Sequence, residues 1–268
     1  MKLDLREEVL SKYDDFLKDN LQEHWNNGPK QGFGQYNILA HLSTYFNNDV
    51  IVDIGTGHQA VSARSLSYNE TNTVYSYDTE FSEIAKGHID SLDNVIYDVF
   101  NPLKSPGDRD ILLSASLISL DVDPHDGEQE KDFYDFFIEN NWGGVMVCDD
   151  IRLGRDTTNN HTTMAAFWES VNKSKYDLTD TIYAHNTGTG IICFDEQEVI
   201  FNLDEDKIID DPNKWVFSKN DIIIQRFDDG TFKNNYGVTG TWNMVVDAAG
   251  EEKILIKTKS GSIEVPNF

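Results

Sequence analysis

The sequence predicts an α/β core built on a mostly parallel sheet, followed by a small antiparallel β-module. Three observations carry this prediction. Apolar, strand-like runs recur with helix-sized gaps between residues 50 and about 195, and the first of them enters a glycine turn directly. After about residue 200 the pattern changes to short alternating strands split by "KND", "DDG", "AAGEE" and "KSGS".

The elements follow in chain order. Leu5, Val9, Leu10, Tyr13, Phe16, Leu17 and Leu21 fall at helical spacing, which predicts an opening helix or helix pair over 3–25. "NNGPKQGFGQ" (26–35) is glycine-rich punctuation, and its last five residues read either as linker or as a lid, since glycine-flanked aromatics can swing. "YNILAHLSTYF" (36–46) resumes a helical pattern and stops at "NND". "VIVDIGTG" then reads as a fully buried parallel strand running into a turn. Further strands are expected in "TVYSYD" (73–78), "NVIYDVF" (94–100), "ILLSASLISLDVD" (111–123) and "GGVMVCDD" (143–150). Between the last two, "EKDFYDFFIENN" sets Phe133, Phe136 and Phe137 on one helical face. "TTMAAFWESVNKS" reads as a helix, and "DLTDTIYAH" and "GTGIICFDE" as two final strands joined in a hairpin through "NTGT". The expected division is a core over 1–201 with a helical N-terminal extension, an acidic linker over 202–214, and a β-module over 215–268.

Composition narrows the function classes. Forty-seven acidic against 22 basic residues give a net charge of -25, which repels nucleic acid and anionic membrane surfaces alike. Hydrophobic residues at 39% and aromatics at 12% support a sizeable packed core. Cys148 and Cys193 each sit in an apolar run and are expected to be reduced core residues, which points to the cytoplasm. The opening "MKLDLREEVLSKYDDFL" lacks the apolar centre of a signal peptide, and no apolar run reaches about 18 residues.

Two groups of residues carry chemistry. In "VDIGTGHQAVSARSL", Asp53 precedes Gly55, Thr56 and Gly57, a turn that lets backbone approach a ligand ahead of a helix N-terminus. Ala60 stands where a dinucleotide fingerprint has its third glycine, which disfavours a pyrophosphate site. Asp78 closes the second strand, where an acid accepts from ribose hydroxyls, and Asp98 on the third is placed to face an adenine edge. The second group is acidic. Asp121 and Asp123 end the fourth strand and Asp149 and Asp150 the fifth, so a parallel sheet brings them to one edge. Carboxylates so crowded call for a cation, and Mg²⁺ is the natural occupant of an all-oxygen set.

The run "VDIGTG", "VYSYD", "VIYDVF" resembles the class I S-adenosylmethionine-dependent methyltransferases over roughly residues 35–195. That resemblance implies their Rossmann-like fold with a mostly parallel seven-stranded sheet, and S-adenosylmethionine at Asp53, Gly55, Thr56, Gly57, Asp78 and Asp98. "LDVDPHDG…WGGVMVCDD" is similar to the pattern of Mg²⁺-dependent sugar O-methyltransferases of the macrocin type. By this resemblance Asp121, Asp149 and Asp150 match metal ligands for Mg²⁺ or another divalent cation, and Asp123 the general base. The sequence departs from that family at Pro124 and His125, and His125 is the alternative base.

The expected activity is therefore Mg²⁺-assisted methyl transfer from S-adenosylmethionine to a hydroxyl of a sugar or glycan. Such relatives commonly self-associate, so a homo-oligomer is one of the states left open. Two alternatives stand beside this reading: a catechol-like or other small hydroxyl acceptor, and a glycan- or partner-binding protein with an inactive core. Trp215, Tyr236 and Trp242 of the β-module either meet sugar faces or fill its core. Arg152, Arg155 and His161 follow the acidic pair as further substrate-contact candidates.

Overall fold

A computed structural model describes residues 1–20, 34–154, 163–185 and 187–201, together with the backbone of six strands between 214 and 266. The chain divides into two compact units, Met1–Asn202 and Leu203–Phe268.

The first unit opens with β1 (Lys2–Asp4), α1 (Glu7–Leu10) and α2 (Asp14–Asn20), and resumes with α3 (Gln35–Ser43). Five strand and helix alternations follow: β2 (Val50–Ile54), α4 (Val61–Leu66), β3 (Thr73–Asp78), α5 (Glu83–Ile89), β4 (Val95–Val99), α6 (Pro106–Ser114), β5 (Ala115–Leu120), α7 (Glu128–Glu139), β6 (Val145–Asp149) and α8 (Met164–Ser170). The unit closes with β7 (Ser174–Asp177), β8 (Thr189–Cys193) and β9 (Glu198–Ile200).

Seven strands form one sheet in the order β4-β3-β2-β5-β6-β8-β7. All neighbours are parallel except β8, which runs antiparallel to both β6 and β7. This is the Rossmann-like methyltransferase arrangement that the sequence led us to expect. The chain reverses its direction of travel across the sheet between β2 and β5, and that switch point opens a crevice at the strands' carboxyl ends.

The continuous apolar runs are explained by burial on both faces. Val52, Ile54, Ile118, Leu120, Met146 and Cys148 face one cluster with Leu112, Phe133, Phe137, Phe167 and Trp168. Their strand neighbours Ile51, Leu117, Val145, Val147, Ile191 and Cys193 face the other, with Ile38, Leu42 and Leu66. Cys148 and Cys193 are both buried and free, and lie in clusters on opposite faces, so they do not pair. On α7, Phe133 and Phe137 are fully buried while Phe136 packs at the cluster's edge. Among the described residues no helix is long and apolar enough to cross a membrane.

Three elements differ from expectation. The opening residues begin as a strand, not a helix: Leu3 and Leu5 alternate into the core, and β1 pairs in parallel with β9. The expected strand over 111–123 is confined to 115–120, because Pro106 opens α6, which carries Ile111–Ser114 into the same apolar run. The expected strand "DLTDTIYAH" is a series of turns, with the ladder placed earlier at β7. Asp177 ends β7 by accepting from the Thr179 backbone at 3.0 Å and from its hydroxyl at 2.6 Å. Arg152 then bonds Asp177 at 2.9 Å and Asp180 at 2.8 and 3.0 Å, which holds the segment off the sheet edge. The β7–β8 connection therefore spans 178–188 and not a tight "NTGT" turn, with Asn186 outside the described residues.

The second unit is one antiparallel sheet with its strands in chain order: β10 (Lys214–Phe217), β11 (Ile222–Arg226), β12 (Thr231–Asn234), β13 (Thr239–Val246), β14 (Glu252–Thr258) and β15 (Gly261–Pro266). Trp215 lies on β10 and Trp242 on β13. The expected linker up to residue 213, the intervening turns, Tyr236, Arg155, His161 and residues 31–33 of the expected lid lie outside the described residues.

Candidate active site

The crevice at the switch point is lined by the turn after β2, the ends of β3 and β4, the loop after β5, and α7. Gly55, Gly57, Asp78, Asp121, Asp123 and His125, all singled out in the sequence, line it together. Tyr77, Phe100, Asn101, Gln129 and Phe133 complete much of its wall.

The glycine turn is held from both sides. The Gly55 N–H donates to the Tyr77 carbonyl at 2.8 Å and the Gly57 N–H to Asp78 Oδ2 at 2.8 Å. Asp78 Oδ1 also accepts from the Thr79 N–H at 2.6 Å, so this acid shapes the turn while Oδ2 keeps acceptor capacity toward the crevice. Gly55 has φ +86° and Gly57 +70°, both in the left-handed region. A Cβ on Gly57 would meet nothing within 4 Å, which leaves this face of the turn open to a ligand. Ala60, in the place of a third glycine, also adopts φ +53° as α4 begins.

Asp53 and Thr56 lie beneath the turn, and neither lines the crevice. The Thr56 hydroxyl donates to Asp53 Oδ2 at 2.8 Å and that of Ser76 at 3.0 Å, and the Ser62 hydroxyl acts on the same carboxylate. Burial pushes Asp53 up to about 6, and the neighbouring hydroxyls restrain the rise. Asp53 thus braces the glycine turn from below through these hydroxyls, and does not itself face the crevice. Asp98 does not join this group. It is exposed, caps the Val99 N–H at 2.7 Å, and leaves the crevice to Phe100 and Asn101.

The acidic residues converge at the adjoining strand ends. Asp123 is 94% exposed, and its Oδ1 lies 3.1 Å from His125 Nε2. The other ring nitrogen of His125 stands between Asp121 Oδ1 at 3.8 Å and Asp150 Oδ2 at 3.6 Å. Burial and the charges of Asp149 and Asp150 push Asp121 well above the usual carboxylate range.

The structure adds a residue that the sequence reading left in a turn. His185 Nδ1 is 3.1 Å from Asp149 Oδ1 and 3.2 Å from Asp150 Oδ1, and single donor atoms of the three residues lie within 4.8 Å of one another. Hydrogen bonds to these two carboxylates push His185 up to about 10. Burial works against the charge of Asp150, but bonds from His185 and Thr187 outweigh it and lower its pKa. Gln35, the first residue of α3, donates to Asp149 Oδ2 at 3.0 Å and accepts from the Thr189 hydroxyl at 3.2 Å. His185 comes beside the acids because β8 runs antiparallel to β6 and pairs Thr189 with Asp149, which sets the residues just before Thr189 next to them. Arg152, a substrate-contact candidate, is committed to Asp177 and Asp180 instead.

The chemistry of this donor set fits a divalent cation, with two carboxylates and one imidazole in place of the three carboxylates expected.

Strand order and crevice define the class as an α/β protein of Rossmann-like methyltransferase architecture. No protein-family model matches the sequence. No curated protein matches it either. Among solved structures the chain is similar to the O-methyltransferase TomG from Streptomyces achromogenes in complex with SAM, at 16% identity and a TM-score of 0.46 over 71% of this chain and 91% of that one. It is also similar to an O-methyltransferase from Bacillus cereus in complex with SAH, at 17% identity and a TM-score of 0.46 over 68% and 98%. Likeness at this level assigns no role to any residue here.

Proposed function

We propose that the chain transfers a methyl group from S-adenosylmethionine to a hydroxyl of a sugar or glycan, with the help of a divalent cation. The observation that carries this reading is the meeting of the glycine turn and the Asp121–His125 loop in one crevice, beside Asp149 and Asp150. A bound cation would lower the acceptor hydroxyl's pKa and fix it toward the methyl group.

The chain's own residues supply the rest. Gly57 lets the cofactor approach the backbone, Asp78 accepts from its ribose, and Asp53 braces the turn from below. Asp149 and Asp150 hold the cation, with Gln35 orienting Asp149. The acceptor's proton passes to the Asp123–His125 pair, whose exposed end faces the crevice. A planar, catechol-like acceptor is the second reading, favoured by Phe100 and Phe133 in the crevice wall.

Calorimetry with S-adenosylmethionine, followed by methyl-transfer assays on sugar and catechol panels with and without divalent cations, tests the reading. Expected are cofactor binding by the native chain and cation-dependent turnover of a sugar hydroxyl. Absence of cofactor binding would falsify both acceptor readings together.

A further inference from the structure

The expected cation was Mg²⁺ on three aspartates, and the residues around Asp149 do not form that set. Asp121 turns its Oδ1 toward His125, while the third donor beside Asp149 and Asp150 is the Nδ1 nitrogen of His185. Resting on the reading that a divalent cation serves this site, we propose that the site selects a nitrogen-accepting first-row transition ion such as Mn²⁺ over Mg²⁺, and that His185 is the selecting residue.

Mg²⁺ is small and hard, keeps water in its shell, and takes carboxylate, phosphate and water oxygens. First-row transition ions accept imidazole nitrogen more readily than Mg²⁺ does; Mn²⁺, the weakest binder of that row, shares the Mg²⁺ liking for carboxylate and water, so the ring is what separates the two. His185 presents Nδ1 to both acids at once, at 3.1 and 3.2 Å, and a cation held between the two carboxylates would take the place of the proton that Nδ1 shares with them, which is released to solvent.

The three donors are set in place by separate supports. The Asp150 N–H bonds Asp149 Oδ1 at 2.8 Å, and Gln35 bonds Asp149 Oδ2. Thr187 bonds Asp150, and the His185 N–H donates to the Thr189 hydroxyl at 2.7 Å. A donor set fixed in this way cannot readily exchange the ring for a water, the substitution an all-oxygen Mg²⁺ shell requires.

The test titrates the full chain with MnCl₂ and MgCl₂ separately by calorimetry, without cofactor. Mn²⁺ is expected to bind at least about tenfold more tightly, about 1.4 kcal/mol. In H185N that preference is expected to fall to within about threefold, through loss of Mn²⁺ affinity. Pulsed electron paramagnetic resonance on the Mn²⁺-loaded native chain supplies a readout free of any variant. A directly bound imidazole nitrogen is expected in the native chain and in H125N, and is expected to be lost in H185N.

Equal affinities for the two ions overturn the proposal, as does Mn²⁺ bound without nitrogen coupling, or coupling that survives H185N. Binding of neither ion also overturns it, and shows the His185 imidazolium itself serving as the counter-ion of the two acids. Cofactor binding and turnover in that case leave methyl transfer standing and remove only its metal assistance. The failure of the inference and that of the wider reading are thus read separately.

Discussion

The backbone carbonyl of Asp121 lies where a side chain on Gly55 would have to go: a Cβ there would sit 1.6 Å from its oxygen. The glycine turn and the loop that begins the acidic cluster are thus in contact, backbone to backbone, and the Asp121 N–H bonds the Ile54 carbonyl at 2.9 Å. Gly55→Ala must displace both. We expect a loss of about 2 kcal/mol or more in stability, from strain at φ +86° and the overlap, and no measurable S-adenosylmethionine binding. Gly57→Ala meets open space and is expected to cost only about 1 kcal/mol while still weakening the cofactor. Thermal melts and calorimetry on both variants check the contrast.

Asp53 makes stability depend on pH in a defined direction. Its folded pKa of about 6 lies above the reference value of 3.8, so between those values the folded chain binds more protons than the unfolded one. The contribution of Asp53 is therefore fully present below about pH 4 and declines as pH rises through 6, by on the order of 3 kcal/mol at most. Asp53→Asn keeps an acceptor for Thr56 and Ser76 without the charge. The difference in stability between this variant and the native chain is expected to grow in the variant's favour from pH 4 to pH 7. A difference that stays flat across that range refutes the assignment.

His125 and Asp123 are separable by mutation. His125 is enclosed by three carboxylates, whereas Asp123 is almost wholly exposed. His125→Ala is expected to lower kcat by roughly 10²–10⁴-fold with little change in cofactor affinity. Asp123→Ala is expected to lower it far less. The reverse order in steady-state kinetics would make Asp123 the proton acceptor.

Arg152 ties the segment that carries His185 to the sheet. It bonds Asp177 and Asp180, and its own N–H donates to the Thr187 carbonyl at 2.9 Å. Arg152→Ala leaves two half-buried aspartates facing each other, and we expect a loss of about 2–3 kcal/mol, below that for a fully buried pair because solvent reaches all three groups. Chemical denaturation measures this loss. Divalent-ion affinity is expected to fall in the same variant, since His185 and Thr187 are no longer anchored.

Those expectations divide between what lies close in sequence and what does not. Strands β2, β3, β5 and β6 were legible because burial on two faces leaves an unbroken apolar run, and the glycine turn because its constraint is local. By contrast β1 was hidden: Leu3 and Leu5 also fit the helical spacing of the residues after them, and their partner β9 is almost two hundred residues away. Leu178, Tyr183 and Ala184 looked like a strand because they are buried, yet they pack as turns that Asp177 and Arg152 hold in place. His185 was hidden for a related reason. Its place beside Asp149 follows from the antiparallel entry of β8 and from a connection of its own shape, neither of which leaves a spacing to read.

The pairing of β1 with β9 also bears on synthesis. Leu3 on β1 and Leu5 just after it belong to the core, and the strand's ladder partner is Glu198–Ile200, extended by the Leu5 N–H to the Ile200 carbonyl at 2.6 Å. On a ribosome adding 5–20 residues each second, β1 would wait about 10–40 s for that partner to appear. Until then two leucines and an unpaired strand edge stay open to solvent. β1 is thus secured on its ladder side only after β9 has been made, and the sticky interval falls before the first unit is complete.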